Sequence, residues 1–400
     1  MRKVGWAIVV LVVLVIAFVV VQFVRSVPGQ TTEAAGPRTV PIPGTVNLPW
    51  PASGSAAVAV GSGSIRTSGS KTRAPIASLA KIMTAYVVLK AHPIPTGQTG
   101  PSIPITSADV AAYHTEAAAS DSVLALATGE MLTERQALEA LLVASADNVA
   151  DILAQWDAGS VTAFVAKMNT AARTLGMDRT HYTDPSGLLA TTVSTPTDQL
   201  LVSRQAMAIP TFASIVAMQS GTFPVAGTVQ NYDYDVGHNG IIGIKTGSDT
   251  AAKGCWSFAA TRTVAGSKQI VYGVVMGIPA EATGLVEPAL AAGTALANAV
   301  PGSVKSMTVV PAGTVVGHVT APWRSQPVPV VTTRAVSGLV ANGSTVVLHV
   351  HLVVPSGRTV DKGQHLGNLT AEGVDGTTST TLVASSDGSG PTIGWRLTRL

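Results

Sequence analysis

The sequence predicts an α+β domain followed by a small all-β domain, and three observations carry that reading. Short strand-like runs of Ala, Val and Gly open the globular part at "AAVAVGSGSI", and strand-like runs return at "GIIGIKTG", "GCWSFAATRT" and "KQIVYGVVMG". Between them, "IASLAKIMTAYVVLKAH", "TERQALEALLVASADNVADILAQW" and "SVTAFVAKMNTAARTLGM" place apolar residues at the three-to-four spacing of helices. Strands on both sides of a helical stretch describe one sheet of sequence-distant strands beside a helical cluster. Beyond "AVPGSVKSM" the chain alternates Val, Thr and Leu between Gly-containing turns and loses every helical period, as a small β module does.

In chain order, the first element is the uncharged run Val4 to Val24, preceded by Arg2 and Lys3 and followed by Arg25. It is long enough to cross a hydrocarbon core. A cleavable secretory signal has a shorter apolar stretch and a small-residue cleavage site, which "VQFVRSVPGQ" does not supply. Residues 1–25 are therefore expected to be an uncleaved single-pass anchor. Arg2, Lys3 and the amino terminus outweigh Arg25, which keeps the N-terminus in the cytoplasm and sends the rest outside. Residues 26–50, rich in Pro, Gly and Thr and without periodicity, are expected to be an extended tether. Residues 51–302 hold the α+β pattern and residues 303–400 the β-rich one.

Composition bounds the function classes. With 46% apolar and 12% charged residues among 400, the chain is folded, not disordered. A net charge of +3, scattered and without basic blocks interleaved with aromatics, argues against a nucleic-acid partner. The lone Cys255 has no internal disulfide partner, and "KGCWSFAAT" reads as a buried strand with a small packed thiol. His349 and His351 fall on one face of a strand, but no third ligand accompanies them, so no metal site is expected.

Three stretches combine residue types that do chemistry. In "PIASLAKIM", Ser78 precedes Lys81 by one helical turn, so the hydroxyl and the amine share a face. Helix-start N–H groups stabilise an anion developing there. A serine is a poor nucleophile until a base takes its proton, which a lysine can do when part of it is neutral. In "LLVASADNVADILAQ", Ser145, Asp147 and Asn148 interrupt an apolar helical run, placing a hydroxyl and a carboxamide or carboxylate in a loop between helices. In "GIIGIKTGSDT", an apolar strand ends in Lys245, Thr246 and Gly247, and the glycine leaves room for a substrate backbone. Each stretch alone is common in proteins without catalysis.

Ser-x-x-Lys, then a Ser-x-Asp/Asn loop, then Lys-Thr-Gly, in that order, is the motif set of penicillin-binding proteins and class A β-lactamases. The chain resembles the serine-type D-alanyl-D-alanine carboxypeptidases, the low-molecular-weight penicillin-binding proteins. Two further stretches, "TLGMDRTHYTDPSGL" and "VSTPTDQLLVSRQAM", extend the likeness. The resemblance implies a penicillin-binding/β-lactamase-like fold, an antiparallel sheet with a helical cluster, over residues 51–302, and more loosely a β-rich C-terminal domain. It implies Ser78 as the acylated nucleophile, Lys81 as its base and Ser145 as a proton relay. Lys245 and Thr246 would take the substrate carboxylate, with backbone N–H groups of Ser78 and Ser248 around the oxyanion. The implied substrate is a peptidoglycan stem peptide ending in D-Ala-D-Ala, the implied inhibitors are β-lactams, and no cofactor is implied.

The chain departs from the family pattern at Asp147, where relatives usually carry Asn. Because an ionised carboxylate only accepts hydrogen bonds, the expectation is that Asp147 faces away and Asn148 supplies an amide to the substrate. Class A β-lactamases need a Glu between the second and third motifs for deacylation, and residues 148–245 contain none. A scaffold that kept the fold and lost turnover is the alternative from another class.

Overall fold

The structure, a computed structural model, describes residues 2–282, 284–376 and 378–399. It divides into two compact units, residues 45–305 and residues 1–44 together with 306–400.

The chain begins with α1 (Arg2–Val24), exposed to its surroundings along nearly its whole length. Two short strands follow, β1 (Thr31–Ala34) and β2 (Thr39–Pro41). Strands β3 (Ser55–Val60) and β4 (Arg66–Gly69) lead into the helical region. This contains α2 (Ala80–Ala91), α3 (Glu134–Leu142), α4 (Asp147–Ala158), α5 (Val161–Thr174) and α6 (Pro196–Met207). The chain then returns to the sheet through β5 (Ile241–Asp249), β6 (Lys253–Val264) and β7 (Ser267–Ile278), and α7 (Val286–Ala299) covers it. The strand order is β5-β6-β7-β3-β4, antiparallel throughout. Sequence-distant strands therefore share one sheet, which is the architecture the α+β pattern predicts.

Helix α2 occupies the middle of this unit. Ile82, Met83, Ala85, Val88 and Leu89 are buried on successive faces, so the helix is apolar all round and packed on all sides. It packs against α4, α5 and α6. Its core is continuous with Leu138, Leu153, Phe164, Phe212 and, on the sheet, Ala259 and Val274. Each fully buried Leu or Phe side chain contributes about 1.5–3 kcal/mol from the area removed from water. A polar side chain on α2 is thus fixed by its neighbours.

In the other unit, β8 (Val315–Thr320), β9 (Val328–Thr332), β10 (Thr345–Leu352), β11 (His365–Glu372) and β12 (Ser379–Ala384) form a sheet, and a short helix α8 (Ile393–Thr398) ends the chain. The expected tether is part of this sheet. The order is β1-β8-β9-β12-β11-β10-β2, so the segment after α1 supplies both outermost strands. Ala35 N donates to Val316 O and Leu348 N to Arg38 O, so even the link between β1 and β2 is bonded to the sheet. The physical reason is unmet backbone hydrogen-bonding capacity at the two edges of a β module, which an adjacent extended chain satisfies.

Cys255 is buried and free. His349 and His351 lie exposed on β10, His349 3.3 Å from Glu372, and no group of three metal-ligating side chains occurs among the described residues.

Candidate active site

Ser78 stands in a single 3-10 turn, Ala77–Leu79, that runs directly into α2. The preceding Ala77 has φ 45°, a conformation L-residues enter at a cost of about 1–3 kcal/mol and hold only where the surroundings dictate it. Those surroundings include the loop after Asp184. Asp184 Oδ2 accepts from Ser186 Oγ (2.8 Å), Gly187 N (2.7 Å) and Leu188 N (2.9 Å), and its other oxygen accepts from Thr192 Oγ1. Thr84 of α2 donates to Pro185 O at 2.6 Å. The loop brings Gly187 (φ 86°) so close that a Cβ there would lie 1.9 Å from Ala77 O. This "DPSG" loop thus braces the turn that carries Ser78.

One helical turn on, the Lys81 side chain is fully buried. Its Nζ lies 2.7 Å from Ser78 Oγ, 3.5 Å from Ser145 Oγ and 2.6 Å from Asp147 Oδ1. Ser145 reaches this position because the α3–α4 connection carries it at φ 55°, again left-handed for a non-glycine residue. Asp147 is the first residue of α4.

The expectation for Asp147 and Asn148 is reversed. Asp147 points into the site and pairs with Lys81, whereas Asn148 accepts from Leu124 N (3.0 Å) and donates to Leu124 O (2.9 Å). Both sides of the Asn148 amide are used in fastening the neighbouring segment. The reason is helical phase: successive residues of a helix point about 100° apart, so only one of the two faces Lys81.

The third stretch lies on β5 beside the Ser78 turn. Lys245 and Thr246 are buried, and Lys245 Nζ donates to Thr246 O at 3.0 Å. Burial first, then the nearby Lys81 charge, pulls the Lys245 amine down to about 7, while Asp147 and Asp233 oppose the shift. A Cβ on Gly247 would lie 3.0 Å from Ser78 N and 3.1 Å from Leu79 N. The glycine is therefore needed where the strand passes the Ser78 turn, a tighter constraint than the substrate approach expected from sequence. Ser248 follows, exposed and opposite Gly254.

Several neighbouring acids were not legible in the sequence. Asp233 accepts from Trp256 Nε1 at 2.8 Å, and its carboxyl rises to about 6, chiefly through burial. Burial, with help from Asp151, Asp147 and Asp121, lifts Glu116 to about 7. Burial, then Asp184 and Asp147, lifts Asp151 to about 6. No short motif marks them, because they come from separate elements and meet only through the fold. The arrangement gives a hydroxyl, an amine against it, a second hydroxyl on that amine and a second buried amine on the adjoining strand.

The fold and this grouping together are those of the low-molecular-weight penicillin-binding proteins. Penicillin-binding protein 5 of Haemophilus influenzae superposes with a TM-score of 0.64, covering 86% of this chain and 100% of its own at 19% identity, which establishes the fold. The Streptomyces K15 DD-transpeptidase superposes at 0.53 over 64% of this chain and 98% of its own, with 28% identity. The chain belongs to the peptidase S11 family, D-alanyl-D-alanine carboxypeptidase, matched over residues 51–280. In sequence it is 38% identical over 160 residues to the D-alanyl-D-alanine carboxypeptidase DacB2 of Mycobacterium tuberculosis, covering 38% of this chain and about half, 54%, of that relative's length. It is 33% identical over 223 residues to the D-alanyl-D-alanine carboxypeptidase of Streptomyces sp. strain K15, covering 51% of this chain and 73% of the relative.

Proposed function

We propose that the chain is a serine carboxypeptidase that removes the terminal D-alanine from peptidoglycan stem peptides through an acyl-enzyme, and that penicillin acylates the same serine. The observation that carries this reading is the placement of the fully buried Lys81, its Nζ between Ser78 Oγ at 2.7 Å and Ser145 Oγ at 3.5 Å. Lys81 takes the Ser78 proton, and Oγ attacks the carbonyl carbon of the penultimate D-alanine. The backbone N–H groups of Ser78 and Ser248 face the oxyanion. As the C–N bond breaks, Ser145 passes a proton to the leaving amine, and water then cleaves the ester. Lys245 and Thr246 hold the terminal carboxylate, a charge-assisted contact that a buried cation makes strongly.

The test is mass spectrometry on two substrates. A D-Ala-D-Ala-ending peptide should lose one D-alanine, and penicillin should add to the tryptic peptide containing Ser78 and not to a Ser78→Ala variant. An intact mass unchanged after prolonged exposure to penicillin would sink the acyl-enzyme. A second reading, a mainly binding protein with slow turnover, is favoured by the Lys81–Asp147 ion pair at 2.6 Å, because the amine nearest Ser78 is shared with a carboxylate. It predicts labelling by penicillin without release of D-alanine.

Val4–Val24 is read as a membrane anchor with the rest of the chain on the outer side. Its 21 uncharged residues, at about 1.5 Å each, match a hydrocarbon core of about 30 Å. Resistance of the full chain to carbonate extraction from membranes tests it.

A further inference from the structure

The carboxyl-terminal residues are fastened to the end of the anchor helix. Arg399 donates through its guanidinium to Gln22 O (2.9 Å), Arg25 O (2.6 Å) and Ser26 O (3.1 Å), and Gln22 Nε2 donates back to Arg399 O at 3.1 Å. Gln22 O is among the carbonyls that the last turn of a helix leaves without intrahelical partners. The pairing sets α8 beside the point where α1 ends.

The surface so formed is basic and aromatic. Arg396 lies over the Phe23 ring at 5.8 Å and Arg399 over Trp395 at 5.2 Å. Trp395 meets Trp323 edge-on at 5.9 Å. The indole N–H groups are already used, Trp395 on Pro322 O (3.1 Å) and Trp323 on Ser389 O (2.9 Å), which fixes both rings. Arg25 and Arg358 are exposed, as is Ile393 at 65%. Besides burial, the charges that act on Arg399 are Arg25, Arg396 and Arg358, all of its own sign. Like charges gathered around aromatic rings at the mouth of an apolar helix call for an anionic layer at that depth.

We propose that the α1–α8 junction is a docking surface for anionic phospholipid headgroups, with Arg25, Arg358 and Arg396 on the lipid phosphates and Trp323 and Trp395 at headgroup level. Indoles prefer that level, and basic residues near the surface are drawn to anionic lipid. Helix α8, with six residues, is too short to hold a bilayer alone, but α1 delivers it there. The inference rests on the anchor proposed above.

The test uses the full chain in neutral detergent, with phosphatidylglycerol, phosphatidylcholine or inorganic phosphate added and retained ligand read by native mass spectrometry. The comparison is the triple variant Arg25→Gln, Arg358→Gln, Arg396→Gln. Arg399 stays, because it bonds α1, and so does the cytoplasmic pair Arg2 and Lys3. Phosphatidylglycerol should be retained over phosphatidylcholine by roughly tenfold or more, and the triple variant should lose that preference. Equal retention of phosphatidylglycerol by the variant overturns the surface, and retention of phosphate as tight as that of phosphatidylglycerol makes it a free-anion site instead. Carbonate extraction separates the two claims: a chain that resists it yet shows no lipid preference overturns the surface alone, and a stripped chain overturns both.

Discussion

Lys245 gives the site a pH dependence near neutrality. With the amine pulled down to about 7 by burial and by Lys81, it is charged below that pH and neutral above it. Capture of a substrate carboxylate should therefore weaken as pH rises through about 7. The ratio of acylation rates for a free-acid substrate and its amide, followed from about pH 5 to about pH 9, should fall across this midpoint and stay flat in Lys245→Ala. A ratio independent of pH in the unaltered chain would deny Lys245 the carboxylate. Asp147 supports a second prediction. Removing the carboxylate that engages Lys81 Nζ at 2.6 Å, while keeping the shape, leaves more of that amine to Ser78 and should let Asp147→Asn acylate faster with penicillin, on the order of tenfold. Asn148→Ala should leave the labelled-serine chemistry intact and lower stability by about 1–3 kcal/mol, since it strands the Leu124 backbone groups. Denaturant melts beside stopped-flow labelling distinguish these outcomes. The presence of a Ser-x-Asp loop was legible from residue types alone, but which of two adjacent side chains faces Lys81 was not. That depends on where α4 begins, and element boundaries are what a pattern of apolar residues fixes least.

At the scale of elements, the site is a turn held between a loop and a strand. The "DPSG" loop presses on Ala77 from one side and Gly247 of β5 passes Ser78 N on the other. Gly187→Ala places a methyl group on Ala77 O and strains a φ of 86°, so the Ser78 turn must shift. Acylation should fall at least about tenfold, the effect of misplacing a reacting group by a fraction of an ångström to an ångström. The far-UV spectrum should be unchanged. Normal acylation in a folded Gly187→Ala chain would show that the turn does not need this brace. The sequence showed α2, β5, β6 and β7 clearly, because long apolar runs at helical or strand period are set by their own burial. The turn at Ala77–Leu79 and the left-handed Ser145 were hidden, since both are conformations imposed by neighbours against the residues' own preferences.

At the scale of the molecule, residues 45–305 hold every proposed catalytic side chain, and the β sheet outside that unit depends on the segment after α1. Replacing residues 31–41 by a Gly-Ser chain of equal length should leave penicillin labelling of Ser78 unchanged while opening the β unit to proteolysis. Loss of labelling would mean that the two units share stability. Composition made residues 31–41 look like free chain, because strands of four and three residues are too short to display a two-residue period and their partners are remote in sequence. That remoteness governs the order of assembly. Ala34 pairs with Gly317 and Val40 with Val346, so the β unit joins the first and last quarters of the chain. During synthesis its first two strands emerge early and have no partner until some 280 residues more have followed, the separation of Ala34 from Gly317. Such long loops close slowly, whereas residues 45–305 are contiguous. Residues 45–305 are therefore acquired first and the unit that takes in residues 31–41 last, and a chain stalled before residue 315 already carries the whole Ser78 grouping while its second sheet is unfinished.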